Sequence, residues 1–507
     1  MHHWPHLVRT SRPALNSKSG TMHSNWGREL KTLIEGILFT GTHGSQILSM
    51  IFLVGSMCIS QASATNIETQ RPNIIYLMLD DAGYGDFGAF GSPYVKTPHF
   101  DRLCAEGMTF TNHYSGSAVC APTRCVLMTG LHTGHCRRRD NTAKALTKEL
   151  SEKNGRPLVF LEDSDVTVAE ALHSAGYFTA GVGKWGLGNP GSAGVPEKQG
   201  FDYWYGYLDQ VHAHDHFPDE IWDGGKMVSV PGNQNKKKET YIPYEQERKA
   251  LELIRQNKSK PFFLYLAVTP PHGAYIIPET DPTFAMYEGI PGSTQVQHYA
   301  AMITRTDQMV GKILDTLSEL HLDENTIIFY TSDNGPNAPF VKAIDSAGGL
   351  RGTKRLLYEG GIRAAMAVRW PGHIPAGRKS TFVWDMRDVF PTLSELGGAK
   401  NPPSLDGISV VPTLMGKNQK ARDIHYWEIH SPFQQAVRYG DWKAIRFGIE
   451  EPLELYDLKN DPQEKRNIAA DNPTVVQKIE TFLGTARTES PYFPAVLKKK
   501  RKKKRTL

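Results

Sequence analysis

Apolar residues along this chain gather in short unbroken runs set between amphipathic stretches. Residues 73–79, Asn-Ile-Ile-Tyr-Leu-Met-Leu, are the first such run and predict a strand buried on both faces of a parallel sheet. The run stops at Asp80-Asp81, followed by Gly83 and Gly85. Residues 98–106 read as a helix closed by Gly107, and residues 122–128 as a short helix with proline in its first turn and Gly130 beyond its end. The alternation continues with a helix over 166–175 and a strand over 177–182, then a helix over 244–257 and a strand over 261–268. A long amphipathic helix over 295–320 precedes a strand over 325–331. Strands alternating with helices predict an α/β fold with a mostly parallel central sheet flanked by helices. Past Pro402-Pro403 the pattern changes to short strands over 436–457, broken by Gly440 and Gly448, and a helix over 474–487. That reads as a small C-terminal α+β domain.

Charge changes the picture only at the ends. The formal net charge is +5, yet residues 498–505 are eight consecutive lysines and arginines, and the first 64 residues carry five basic against two acidic groups. The remaining body is acidic, at about −6. A nucleic-acid enzyme carries its positive charge on the folded body, so no nucleic-acid partner is expected. The apolar stretch 47–59 ends in Ala62-Ser63-Ala64, the pattern of a secretory signal peptide. It is too short for a stable membrane span. Export to the periplasm or the extracellular space is expected, with a mature chain starting near Thr65 and translation starting at Met22 or Met50. Beyond that point Cys104, Cys120, Cys125 and Cys136 remain, too few for a disulfide framework. Their spacing leaves any pairing open.

The chemistry collects at strand ends. Asp80 and Asp81 follow the first strand, Lys184 the 177–182 strand, His272 the 261–268 strand, and Asp333 and Asn334 the 325–331 strand. Open α/β sheets bind ligands outside the carboxyl ends of their strands, so the fold is expected to gather these residues along one edge. Three carboxylates in one place repel unless a cation lies among them, and an all-oxygen set suits Ca²⁺ or Mg²⁺ rather than Zn²⁺. Cys120 opens the run Cys-Ala-Pro-Thr-Arg-Cys-Val-Leu-Met-Thr-Gly at a helix start. A thiol placed there is expected to lose its proton more readily.

Cys-x-Pro-x-Arg followed by x-x-Leu-x-Thr-Gly resembles the signature of the formylglycine-dependent sulfatases, an arylsulfatase-like branch of the alkaline phosphatase superfamily. The likeness extends through Asp80-Asp81-x-Gly83-x-Gly85, Gly183-Lys184-Trp185-Gly186-Leu187-Gly188, Pro271-His272 and Ser332-Asp333-Asn334-Gly335. It continues with Lys354 ahead of Tyr358-Glu359-Gly360-Gly361, and ends with Leu455-Tyr456-Asp457-Leu458. The resemblance implies an alkaline-phosphatase-like large domain and hydrolysis of a sulfate ester, on a sulfated small molecule or glycan. It implies oxidation of Cys120 to formylglycine by a formylglycine-generating enzyme. Carried onto this chain, it puts one Ca²⁺ on Asp80, Asp81, Cys120, Asp333 and Asn334. It puts Arg124 on the nucleophile, and Lys184, His272 and Lys354 around the sulfate, so the two lysines are expected to contact sulfate rather than protein. The expected organisation is an extension with signal peptide over 1–64, a catalytic domain over 71–400, an α+β domain over 401–490 and a basic disordered tail over 491–507. One position departs from the pattern: many relatives have histidine two residues after the signature lysine, where this chain has Gly186. His212, His214 and His216 are candidates to supply the missing group. The competing readings are a phosphatase or phosphodiesterase of the same superfold, and a non-catalytic protein that binds sulfated glycans.

Overall fold

The computed structural model describes residues 71–143 and 158–495; the signal-like run and the eight-residue basic stretch lie outside them. Among the described residues, sixteen strands form three sheets. In chain order they are β1 (Asn73–Leu79), β2 (Met108–Phe110), β3 (His113–Tyr114), β4 (Phe178–Lys184), β5 (Tyr203–Tyr207), β6 (Glu220–Asp223), β7 (Lys226–Ser229) and β8 (Phe262–Ala267). They continue with β9 (Thr326–Ser332), β10 (Met366–Arg369), β11 (Arg378–Ser380), β12 (Trp384–Asp385), β13 (Ile424–His430), β14 (Phe433–Tyr439), β15 (Trp442–Arg446) and β16 (Glu454–Asp457).

The central sheet has ten strands in the order β11-β2-β10-β9-β1-β8-β4-β5-β6-β7. Its middle five, β9-β1-β8-β4-β5, run parallel. Every residue of β1 is buried, which accounts for its unbroken apolar sequence. One face of the sheet packs on helices Pro98–Glu106, Ile242–Gln256 and Thr294–Glu319, through residues such as Phe100, Ile254 and Tyr299. The other face packs on helices Cys120–Thr129, Val168–Ser174 and Val389–Gly397. Helix Cys120–Thr129 is buried along its whole length and stops where Gly130 turns left-handed at φ 67°. It begins two residues before the stretch read from sequence, because Val119 is the extended residue that precedes its first turn. The Lys184 strand likewise runs two residues further than read, ending on Lys184 itself.

The C-terminal sheet, β13-β14-β15-β16, is antiparallel. One face, with Trp427, Ile429, Ala436 and Ile445, packs on Tyr114, Leu357 and Ile362; the other, with Tyr426, Val437 and Leu455, packs on Ile479 and Leu483 of helix Pro473–Leu483. Strand β13 escapes the sequence reading because its buried positions include His425 and Glu428, which break the apolar alternation. No helix among the described residues is long and apolar enough to cross a membrane.

Candidate active site

The parallel strands deliver their polar ends to one edge. Asp80 extends β1 and bridges to Pro271 beyond β8, and Asp333 follows β9 with its amide on the Leu79 carbonyl at 3.0 Å. Asp81 stands at φ 70°, a left-handed conformation that a side chain disfavours. It is held there from several sides. Its amide donates to Asp333 Oδ1 at 3.1 Å, and its carboxylate accepts from Asn334 Nδ2 at 2.7 Å and Asn337 Nδ2 at 2.9 Å. Cys120, at the first turn of its buried helix, puts Sγ 3.2 Å from Asp80 Oδ1. The ligand atoms of Asp80, Asp81, Cys120 and His272 all lie within 4.8 Å of one another.

Cations line the same floor. Arg124 is fully buried and donates from Nη2 to Asp333 Oδ2 at 2.9 Å and from Nη1 to the Lys184 carbonyl at 2.5 Å. Lys184 Nζ lies 2.5 Å from Asp80 Oδ2, and Lys354 Nζ 2.7 Å from Asp81 Oδ2, with His272 Nε2 3.3 Å from that same oxygen. The structure thus brings together all nine residues picked out from sequence. Each of the two lysines also has a protein partner, Asp80 for Lys184 and Asp81 for Lys354.

Burial and crowding set the protonation. Burial alone would raise the Asp80 carboxyl, but Lys184, His272, Arg124 and Lys354 outweigh it and hold it well below its ordinary value. Burial raises Asp81, with Lys354 opposing the rise and Asp80 adding to it. Burial and the Asp80 charge push Asp333 up to about 7. Burial also drives His272 well below the ordinary histidine value. Burial, with the Asp80 charge behind it, pushes the Cys120 thiol up to about 12. This overturns the expectation of an easily ionised thiol: the helix start is present, but desolvation and a neighbouring carboxylate dominate. A neutral buried thiol is a poor nucleophile. A hard cation does fit the floor: Asn334 Oδ1 is buried with no hydrogen-bond partner, and the crowded carboxylates offer oxygens beside it.

The family model described as Sulfatase matches residues 72–399, and that of the C-terminal region of N-sulphoglucosamine sulphohydrolase matches 352–488. The chain belongs to the sulfatase family. It is a hydrolase of sulfuric esters and shares 34% identity with human N-acetylgalactosamine-6-sulfatase, over 71% of this chain and 68% of that one. Human arylsulfatase A is 31% identical over 83% of this chain and 88% of its own. Among solved structures, that of Ps i-CgsB in complex with k-i-k-neocarrahexaose superposes with a TM-score of 0.73 at 27% identity, covering 84% of this chain and 95% of that one. The alkaline-phosphatase-like fold expected from sequence is the one observed.

Several residues of this sulfatase site were not legible in the sequence. Asn337 bridges Asp81 and the Tyr275 hydroxyl, which accepts at 2.7 Å. Asp86 accepts from Tyr299 at 2.5 Å and from Ser346 at 2.6 Å, and Tyr299 also donates to the Asp81 carbonyl at 3.1 Å, bracing the loop beneath the carboxylates. Asn141 Oδ1 accepts from the Ala121 amide at 3.1 Å, beside Cys120. At Gly186, φ is 82° and an added Cβ would lie 1.7 Å from Gln210 Nε2. A side chain at this position would therefore meet the Gln210 amide. Repeated aspartates and asparagines in loops carry no signal that separates these contacts from ordinary turn chemistry.

Proposed function

We propose that this sulfatase removes sulfate from a sulfated carbohydrate, using formylglycine made from Cys120 and one bound Ca²⁺. The observation that carries the reading is Cys120 Sγ at 3.2 Å from Asp80, inside a buried cluster of carboxylates and cations where the thiol stays protonated. Hydrated formylglycine supplies an oxygen nucleophile and a second hydroxyl whose deprotonation releases sulfate, chemistry that a thiol lacks. Asp80, Asp81, Asp333, Asn334 and the modified Cys120 would hold the Ca²⁺, which supplies positive charge beside the nucleophile and the sulfate. Arg124, already anchored on Asp333, fixes the nucleophile. Lys184, Lys354 and His272 turn from the carboxylates to the sulfate oxygens and offset charge that grows in the transition state.

The glycan assignment is supported by relatives named for sulfated sugars, among them N-acetylgalactosamine-6-O-sulfatase of Bacteroides thetaiotaomicron, 29% identical over 83% of this chain and 94% of its own. Residues 71–400 would form the catalytic domain and 401–490 a C-terminal α+β domain. The signal-like run supports export to the periplasm or the extracellular space, after a formylglycine-generating enzyme has acted on Cys120. A panel of sulfated sugars read by sulfate release, beside peptide mass spectrometry across Cys120, tests the reading. Sulfate release should scale with the modified fraction; full activity in protein whose Cys120 is entirely thiol refutes the nucleophile assignment.

A further inference from the structure

The three loop histidines have different surroundings. His212 meets the Tyr207 ring edge-on at 5.1 Å, and the charges acting on it are those of Asp209, Glu220 and Asp215. His216 is fully buried, and its Nε2–H donates to the His272 carbonyl at 2.8 Å, so it positions His272. His214 is exposed, and its ring lies against that of His272 with centroids 4.4 Å apart. The charges of Lys184, Asp80, Lys354 and Asp81 all act on it. Its backbone is held in place: the Ala274 amide donates to the His214 carbonyl at 3.1 Å. Gly273 allows that approach, since a Cβ there would lie 2.8 Å from the same carbonyl.

This layering bears on the leaving group. Lys184, Lys354 and His272 each reach a floor carboxylate, within 2.5, 2.7 and 3.3 Å. The position of Cys120 is also on the floor, 3.2 Å from Asp80. In-line displacement at sulfur puts the departing oxygen opposite the nucleophile, away from the floor on which Cys120 and the carboxylates meet. The exposed His214 ring lies tilted against that of His272, within reach of the charges of Lys184 and Lys354. We propose that His214 touches the substrate, donating an N–H hydrogen bond to the bridging ester oxygen on which charge collects as its bond to sulfur breaks. The inference rests on the sulfatase reading and adds a catalytic residue to it. A donor at that oxygen matters most for esters of poorly acidic alcohols, such as the sugar hydroxyls of the proposed substrate.

The test compares two esters on full-length protein carrying modified Cys120: 4-nitrophenyl sulfate, whose leaving group needs no help, and a sugar O-sulfate that the wild type cleaves. His214→Ala should lower kcat/KM about 100-fold or more on the sugar sulfate and about fivefold or less on the aryl ester. His214→Asn, which keeps an N–H donor, should recover part of the sugar-sulfate rate. His212→Ala should change neither, and all three variants should melt with the wild type, as exposed or peripheral side chains do. Equal losses on the two esters, or no loss on the sugar sulfate, overturn the assignment of His214. A wild type carrying modified Cys120 that releases sulfate from no member of the sugar panel and not from 4-nitrophenyl sulfate overturns the proposed function and this inference with it.

Discussion

Two buried clusters of charge, one at the edge of the central sheet and one between the loop after helix Cys120–Thr129 and β13, follow opposite logic. Around Glu428 a single carboxylate meets four donors. Oε1 accepts from Arg139 at 3.2 Å and His430 at 3.0 Å, and Oε2 from Tyr426 at 2.6 Å and Arg487 at 3.0 Å. Burial opposes ionisation, but His430, Arg139 and Arg487 outweigh it and hold the group at about 2. At the sheet edge three carboxylates share their cations. Asp333 rises to about 7, and Asn334 Oδ1, Arg124 Nε and His272 Nδ1 are buried without hydrogen-bond partners. Both clusters are buried and both mix signs. The difference is closure: the first satisfies its carboxylate and joins two parts of the chain, whereas the second keeps buried polar atoms without partners.

The largest expected effect separates chemistry from folding. Cys120→Ala should cut turnover on the order of 10⁵-fold or more while the melting temperature stays close to wild type, as scored by sulfate release and calorimetry. A melting point lowered like that of a core mutant would place Cys120 in the structural class instead. Glu428→Gln should do the reverse. It should destabilise by about 3–5 kcal/mol in denaturant titration, since Arg139 and Arg487 keep buried charge without its partner, yet leave the rate per folded molecule near wild type. The same carboxylate gives a pH signature. Its folded value of about 2 lies below the ordinary 4.5, so its contribution is complete above 4.5 and is lost as pH falls from there towards 2. Acid unfolding of the Glu428→Gln protein should show a shallower dependence across that window.

Lys354→Met should lower kcat/KM about 10²- to 10³-fold, and its stability should depend on the metal. With Ca²⁺ present Asp81 keeps a cation and the melting point should hold; in chelator it should fall below that of wild type. An equal melting point in both buffers would show that the open cluster does not rely on an external cation. The smallest effect is expected for wild type itself. Saturating Ca²⁺ at about 100 times its dissociation constant should stabilise by about 2.7 kcal/mol relative to chelated protein, measured as a thermal shift.

The strand-ending runs at Asn73–Leu79 and Thr326–Ser332 were legible because residues buried on both faces need unbroken apolar sequence, and the motifs around Cys120, Lys184 and Lys354 are local in the chain. Strand β13 was not legible, because burial of His425 and Glu428 is compensated by partners far away in sequence, including Arg139 and Asp385. Asn337, Gln210 and the ranking of the three loop histidines were hidden for the same reason. The sequence by itself determined which residue types stand at the strand ends, their order and the chemistry they are able to perform. Only the tertiary structure decided that burial and Asp80 raise the Cys120 thiol, that Gln210 lies beside Gly186, and that His214 rather than His212 meets His272. Those outcomes depend on desolvation and on charges brought together across long spans of chain, such as the 253 residues between Asp81 and Asn334.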